Sequence, residues 1–145
     1  MFGRLHELTD WIRHRAQLRV LPPRMALGRR GEDLAHRFLR RKGMTVIARN
    51  WRAPFGGELD IVGWDGATLA IVEVKTRETA EFGTPDRNIG PEKERALIRA
   101  ARQFIREAGV GWEHVRFDVV SVVMGKPPLI EHHPDVFYPE RGTRS

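Results

Sequence analysis

Between residues 31 and 42 the apolar positions are Leu34, Ala35, Phe38 and Leu39, the one-face spacing of an amphipathic helix. Arg40, Arg41 and Lys42 follow, where cations complement the helix dipole, and Gly43 is suited to cap the end. The period then shortens to two. Residues 45–50, 58–62, 69–75 and 116–124 read as strands. Breakers at 54–57 separate the first two, and Asp65-Gly66 starts a tight hairpin between the second and third. The run Leu69-Ala70-Ile71-Val72 is apolar on both faces, as a central strand would be. Residues 79–90 contain Gly83, Pro85 and Gly90 and read as a loop. A second helix is expected over 92–108, with Ala96, Leu97, Ala100, Ala101, Phe104 and Ile105 as its buried stripe and Gly109 at its end. The order is helix, three strands, helix, strand. It describes an α/β domain with a mixed sheet flanked by helices.

The flanks differ from this core. Residues 1–26 carry Leu5, Leu8, Trp11, Ile12 and Leu18 at roughly helical spacing among Arg4, Arg13, Arg15 and Arg19. Pro22-Pro23 is expected to stop that segment. It reads as a basic arm or short helix, residues 27–124 as the folded domain, and residues 125–145, with four prolines, as a proline-rich tail. Ile130 and Val136-Phe137-Tyr138 are candidates to pin part of that tail.

A chain of 145 residues, 41% hydrophobic and 30% charged, has the size and composition of one globular domain. No apolar run approaches the roughly 20 residues of a membrane span, and no signal-peptide pattern opens the chain. A cytoplasmic location with no membrane partner is expected. There is no cysteine, which excludes disulfides and thiolate chemistry. Any metal must be held by oxygen or imidazole, and oxygen-rich sites suit Mg²⁺ or Mn²⁺. Residues 1–49 hold 12 Arg or Lys against 4 Asp or Glu, whereas residues 50–145 hold 13 against 15. The basic half suits a polyanion such as nucleic acid; the plainer reading is a solvated basic surface.

The chemistry concentrates between Glu58 and Arg77. Alternation puts Glu58, Asp60 and Val62 on one face of the second strand, and Leu69, Ile71, Glu73 and Lys75 on one face of the third. The hairpin makes these strands antiparallel neighbours, so Asp60 and Glu73 can converge. Glu73 sits in an otherwise buried strand, where a lone carboxylate is costly. Lys75 could simply pair with it, leaving Asp60 to cap a turn. Alternatively, two carboxylates beside one lysine can hold a divalent ion, activate water and stabilise a charged phosphate.

Asp60, then Glu73-Val74-Lys75, resembles the PD-(D/E)xK nuclease signature, with Leu59 where the naming proline would stand. The archaeal Holliday-junction resolvases of that superfamily also carry a helix glutamate, which Glu32 matches. The arrangement is closer still to the YraN family of small bacterial proteins with a nuclease-like fold. Gly31-Glu32-Asp33-Leu34-Ala35, Ala48-Arg49-Asn50-Trp51-Arg52, Gly57-Glu58-Leu59-Asp60-Ile61-Val62, Val72-Glu73-Val74-Lys75-Thr76-Arg77 and Arg116-Phe117-Asp118-Val119-Val120 each match a segment, over roughly residues 28–123. The resemblance implies a restriction-endonuclease-like fold of order αβββαβ. The superfamily signature implies catalytic Asp60, Glu73 and Lys75, and Mg²⁺ or Mn²⁺ held by Glu32, Asp60 and Glu73. It also implies cleavage of DNA, branched or damaged DNA included, and a homodimer, since resolvase substrates are symmetric. The alternative is a nucleic-acid-binding protein that keeps the fold without catalysis.

Arg49, Arg52, Arg77 and Lys93 are the candidate nucleic-acid contacts, although each could be an ordinary surface cation. Glu32 could equally be a helix-start acid complementing the dipole. Glu58 reads as an orienter of a neighbouring arginine. Trp51 could stack on a base or, more simply, fill the core. His132, His133 and Asp135 fit no strong metal spacing.

Overall fold

The computed structural model describes residues 22–79 and 87–139. Most of the basic arm, including Arg4, Arg13, Arg15 and Arg19, lies outside the described residues, as does the centre of the 79–90 loop. The elements are α1 (Pro23–Arg41), β1 (Thr45–Arg52), β2 (Glu58–Asp65), β3 (Thr68–Arg77), α2 (Pro91–Ala108), β4 (Val115–Val123) and β5 (Leu129–Phe137), with a single 3₁₀ turn at Trp112–His114 before β4. No described helix is long and apolar enough to cross a membrane.

Helix α1 begins a full two turns before the expected start. Pro23 occupies its first position, where the missing N–H is not needed, and Pro22 accepts from the Met25 and Ala26 amides. The proline pair thus opens this helix; the segment it was expected to stop lies outside the described residues. α2 ends as expected: Gly109 adopts the left-handed conformation, φ 68°, and the Val110 amide returns to the Ile105 carbonyl.

The sheet order is β1-β2-β3-β4-β5. β1, β2 and β3 form antiparallel pairs, β3 and β4 run parallel, and β5 returns antiparallel to β4. The parallel step requires a crossover, which α2 supplies. This is the restriction-endonuclease-like arrangement αβββαβ, extended by β5 from the tail. The two faces of the sheet bury separate clusters. Leu69, Ile71 and Phe117 pack with Leu97, Ala100, Ala101, Phe104 and Ile105 of α2. Ala70, Val72, Val120 and Val122 pack with Ala35 and Leu39 of α1. Trp51 meets Phe104 edge to face at 5.3 Å, so it belongs to the core.

Helix α1 lies very close to β3. A Cβ at Gly31 would fall 1.8 Å from Thr76 Oγ1. Only glycine permits that approach, and the next residue is Glu32. A glycine therefore sets the distance at which Glu32 is delivered to the ends of β2 and β3.

Candidate active site

The site forms where β2 and β3 part. Their ladder ends at Ile61 paired with Val72. One step further, Asp60 and Glu73 would face each other. There the Asp60 carboxylate replaces the ladder, its Oδ2 accepting from the Val74 amide at 2.9 Å. β3 stays paired to β4 as far as Arg77 with Val123, so only its β2 side opens. The alternation of β2 also breaks here. Leu59 and Ile61 flank Asp60 yet pack into opposite clusters.

Glu32, Asp60, Glu73, Val74 and Thr76 line an open cleft of about 310 Å³, with Arg24, Leu27 and Gly28 of α1 forming its other wall. Arg24, Leu27 and Thr76 also line an adjoining cavity of about 540 Å³ that reaches Arg77. The three acids thus come from three elements and line one cleft.

Electrostatically the cleft is unsettled. Burial, then the neighbouring Glu73, pushes the Asp60 carboxyl up to about 7, against the hydrogen bond from Val74. Glu73 is also raised, chiefly by burial, with Lys93 opposing. Glu32 is raised by burial too, although a hydrogen bond from the Asn50 side chain and the charge of Arg49 counter this. Asn50 is itself unusual, a non-glycine residue in β1 with φ 48°. Nothing in the local sequence marks it except its place between Arg49 and Trp51.

The cations divide. Lys93 Nζ lies 3.4 Å from Glu73 Oε1. Lys75 Nζ bonds the Asn88 carbonyl, while its charge still lowers the Glu73 pKa. Arg49 is engaged within the protein, 2.8 Å from Asp33 and 3.7 Å from Glu32. Arg52 sits exposed at the end of β1, and Arg77 ends β3.

Two carboxylate oxygens, Glu32 Oε2 and Glu73 Oε2, are buried without a hydrogen-bond partner. An all-oxygen set with unmet acceptors suits a hard cation. Among the described residues, however, no three His, Asp or Glu side chains are grouped closely enough to hold an ion. Asp60 and Glu73 offer two ligands, and Mg²⁺ commonly takes one or two carboxylates with water and phosphate completing its shell. The donor set therefore fits a weak, hydrated ion rather than a closed cage.

A second buried acid was not singled out for chemistry by the sequence. Asp118 of β4 is fully buried and accepts from Arg116 twice at 2.8 Å, from the Asp135 amide at 3.0 Å and from His132 Nε2 at 2.9 Å. Lys42 meets the other nitrogen of His132 at 3.1 Å. His132 and Asp135 thus serve to tie β5 to β4 and to the end of α1.

The profile of uncharacterised protein family UPF0102 matches residues 31–122, from the glycine against Thr76 to the buried end of β4. A UPF0102 protein of Solibacter usitatus is 48% identical over 132 residues, covering 90% of this chain and 96% of its own. Another from Nocardia farcinica is 47% identical over 116 residues, covering 79% and 91%, and one from Rhodococcus opacus is 44% identical over 115 residues, covering 78% and 97%. The match takes in all three cleft acids and Asp118 together, and the chain belongs to the UPF0102 family.

Proposed function

We propose that the protein is a metal-dependent nuclease that cleaves phosphodiester bonds of DNA, with branched or damaged DNA the substrate class to examine first. The observation that carries this reading is the parting of β2 and β3 at Asp60 and Glu73, which turns two half-buried acids toward a cleft with unmet acceptor oxygens. A fold can bury carboxylates cheaply by pairing them, and these are left under-compensated.

Asp60 and Glu73 would hold Mg²⁺ or Mn²⁺, with Glu32 helping directly or through water. When bound, such an ion supplies a polarised water and neutralises charge on the phosphate. The chain's own residues do the rest. The Val74 amide fixes the orientation of Asp60. Lys93 and Lys75 reduce the repulsion within the acid pair, and Lys75, released from Asn88, can stabilise charge on a phosphate oxygen. Arg52 and Arg77 would contact flanking phosphates.

A non-catalytic nucleic-acid-binding protein is the second reading. The observation favouring it is that Lys93 already compensates Glu73 in part within the protein. Metal-dependent cleavage of duplex, branched and single-stranded DNA by wild type beside Asp60→Asn separates the two. Cleavage that needs Mn²⁺ or Mg²⁺ and falls at least about a hundredfold in the variant supports the nuclease. Binding without cleavage supports the alternative.

A further inference from the structure

The outer face of α2 carries a feature that the cleft does not explain. Arg95, Arg99, Arg102 and Arg106 stand at i, i+4, i+7 and i+11, one stripe of the helix, and all four are exposed. The stripe runs about 16 Å along the axis. It points away from the sheet, since Leu97, Ala101, Phe104 and Ile105 take the buried side. Like charges at this spacing repel one another and weaken a helix. Among the described residues none of the four makes an ion pair; Arg102 lies 6.0 Å from the Trp112 ring.

An exposed aromatic ring stands on each side of the stripe. Phe55 is 87% exposed at the tip of the β1–β2 loop. Its amide donates to Gln103 Oε1 at 3.0 Å, and the loop is closed by Ala53–Gly57 and Gly56–Ala53 backbone bonds. Gly57, φ 94°, presses against α2, where a Cβ would be 3.0 Å from the Ala96 carbonyl. The ring is therefore held out to solvent on a fixed base. On the other flank Tyr138, 77% exposed, lines a cavity of about 350 Å³ with Arg95, Ile98 and Arg102. Phe55 and Tyr138 are the two exposed aromatics among the described large apolar side chains, and both border this stripe.

We propose that the arginine stripe of α2, with Phe55 and Tyr138 beside it, is a contact surface for single-stranded nucleic acid, distinct from the carboxylate cleft. Backbone phosphates lie along the arginines, and unstacked bases rest on the two rings. This combination of a cationic track and stacking platforms is what a single strand requires, whereas duplex keeps its bases from the rings. An acidic protein would also meet the arginines and could bury the rings, and polyglutamate competition separates it from a nucleic acid. Lys93, near the start of the same helix, lies against Glu73 and is not part of the stripe. The proposal rests on the reading that the partner is nucleic acid, but not on catalysis.

The test is fluorescence anisotropy of the full chain with a labelled oligothymidylate of about 16 nucleotides, titrated across salt concentrations. Arg99→Gln/Arg102→Gln should weaken binding at least about tenfold and reduce the salt slope by about 1.4. Phe55→Ala/Tyr138→Ala should weaken it about tenfold with the salt slope unchanged, the signature of lost stacking. Single-residue versions of both pairs, with melting curves recorded, keep the result readable if a double variant folds poorly. Wild-type affinity retained in both pairs would overturn the proposal, as would polyglutamate competing equally well before and after removal of the rings. If the variants lose binding while wild type cuts no DNA, the nuclease reading fails and this surface stands. If wild type cuts DNA and the variants bind oligothymidylate normally, the reverse holds.

Discussion

Two acids of the same sheet, Asp118 buried and Asp60 half-buried, have opposite fates. Asp118 has four donors on its two oxygens and is held below the ordinary carboxylate range: burial alone would raise it, but His132, Arg116 and the Asp135 amide outweigh that. Asp60 has one amide donor and an acidic neighbour, and rises to about 7. One carboxylate is satisfied by the protein; the other is only partly compensated. Burial of charge does not by itself mark a functional site. What marks it is burial whose compensation is incomplete and opens onto a cleft.

The largest expected effect comes from the satisfied acid. Asp118→Asn leaves Arg116 and His132 without a full acceptor set and should cost about 3–5 kcal/mol. Urea unfolding should show it as a fall in midpoint, with β5 the region that loses amide protection. A cost below about 1 kcal/mol would mean that the network is dispensable.

Gly31→Ala comes next and strikes the other region. The added methyl has no room against Thr76, so α1 must move away from β3 at about 2–3 kcal/mol. Glu32 moves with it, and metal affinity should fall while the Asp118 network persists. Unchanged Mn²⁺ affinity in the folded variant would remove Glu32 from the site.

The smallest effect has the opposite sign. The folded pKa of Asp60 lies above its unfolded value, so its contribution to stability is complete below about pH 4 and is lost as pH rises through about 7. Asp60→Asn escapes that loss. Because the cleft is open to solvent, the gain at pH 8 should be about 1–2 kcal/mol, vanishing near pH 4. Asp118 behaves inversely: its contribution is present above the unfolded carboxyl pKa and disappears as pH falls through the lower folded value. Melting temperatures of wild type and Asp60→Asn across pH that stay parallel would contradict the difference.

Much of the cleft was legible because it follows local rules. Alternation through Ile71-Val72-Glu73 put an acid where burial was due, and the Asp65-Gly66 hairpin placed Asp60 beside it. β5 was hidden for physical reasons. Its inward side is held by polar His132, Pro134 interrupts it, and Asp135 turns with φ 60° where the β4–β5 register shifts. Proline is tolerated there because β5 is an edge strand. The partners of Asp118 and Glu73 were equally hidden. The distant ones, His132 and Asp135 of β5 for Asp118 and Lys93 of α2 for Glu73, lie in elements that no window along the chain brings together. The arginine stripe of α2 was visible in its spacing, but the rings beside it are set by tertiary packing.

In the proposed function, Asp60 and Glu73 are left under-compensated so that they can take a divalent cation. Titration calorimetry with Mn²⁺ tests it most directly, using wild type and Glu73→Gln, each with and without a DNA ligand. Wild type should bind one ion weakly alone and at least about tenfold more tightly with DNA, whose phosphate completes the shell. Glu73→Gln should stay folded and lose most of that uptake in both conditions. Equal uptake by the two proteins, with and without DNA, would contradict the account and make the acid pair structural.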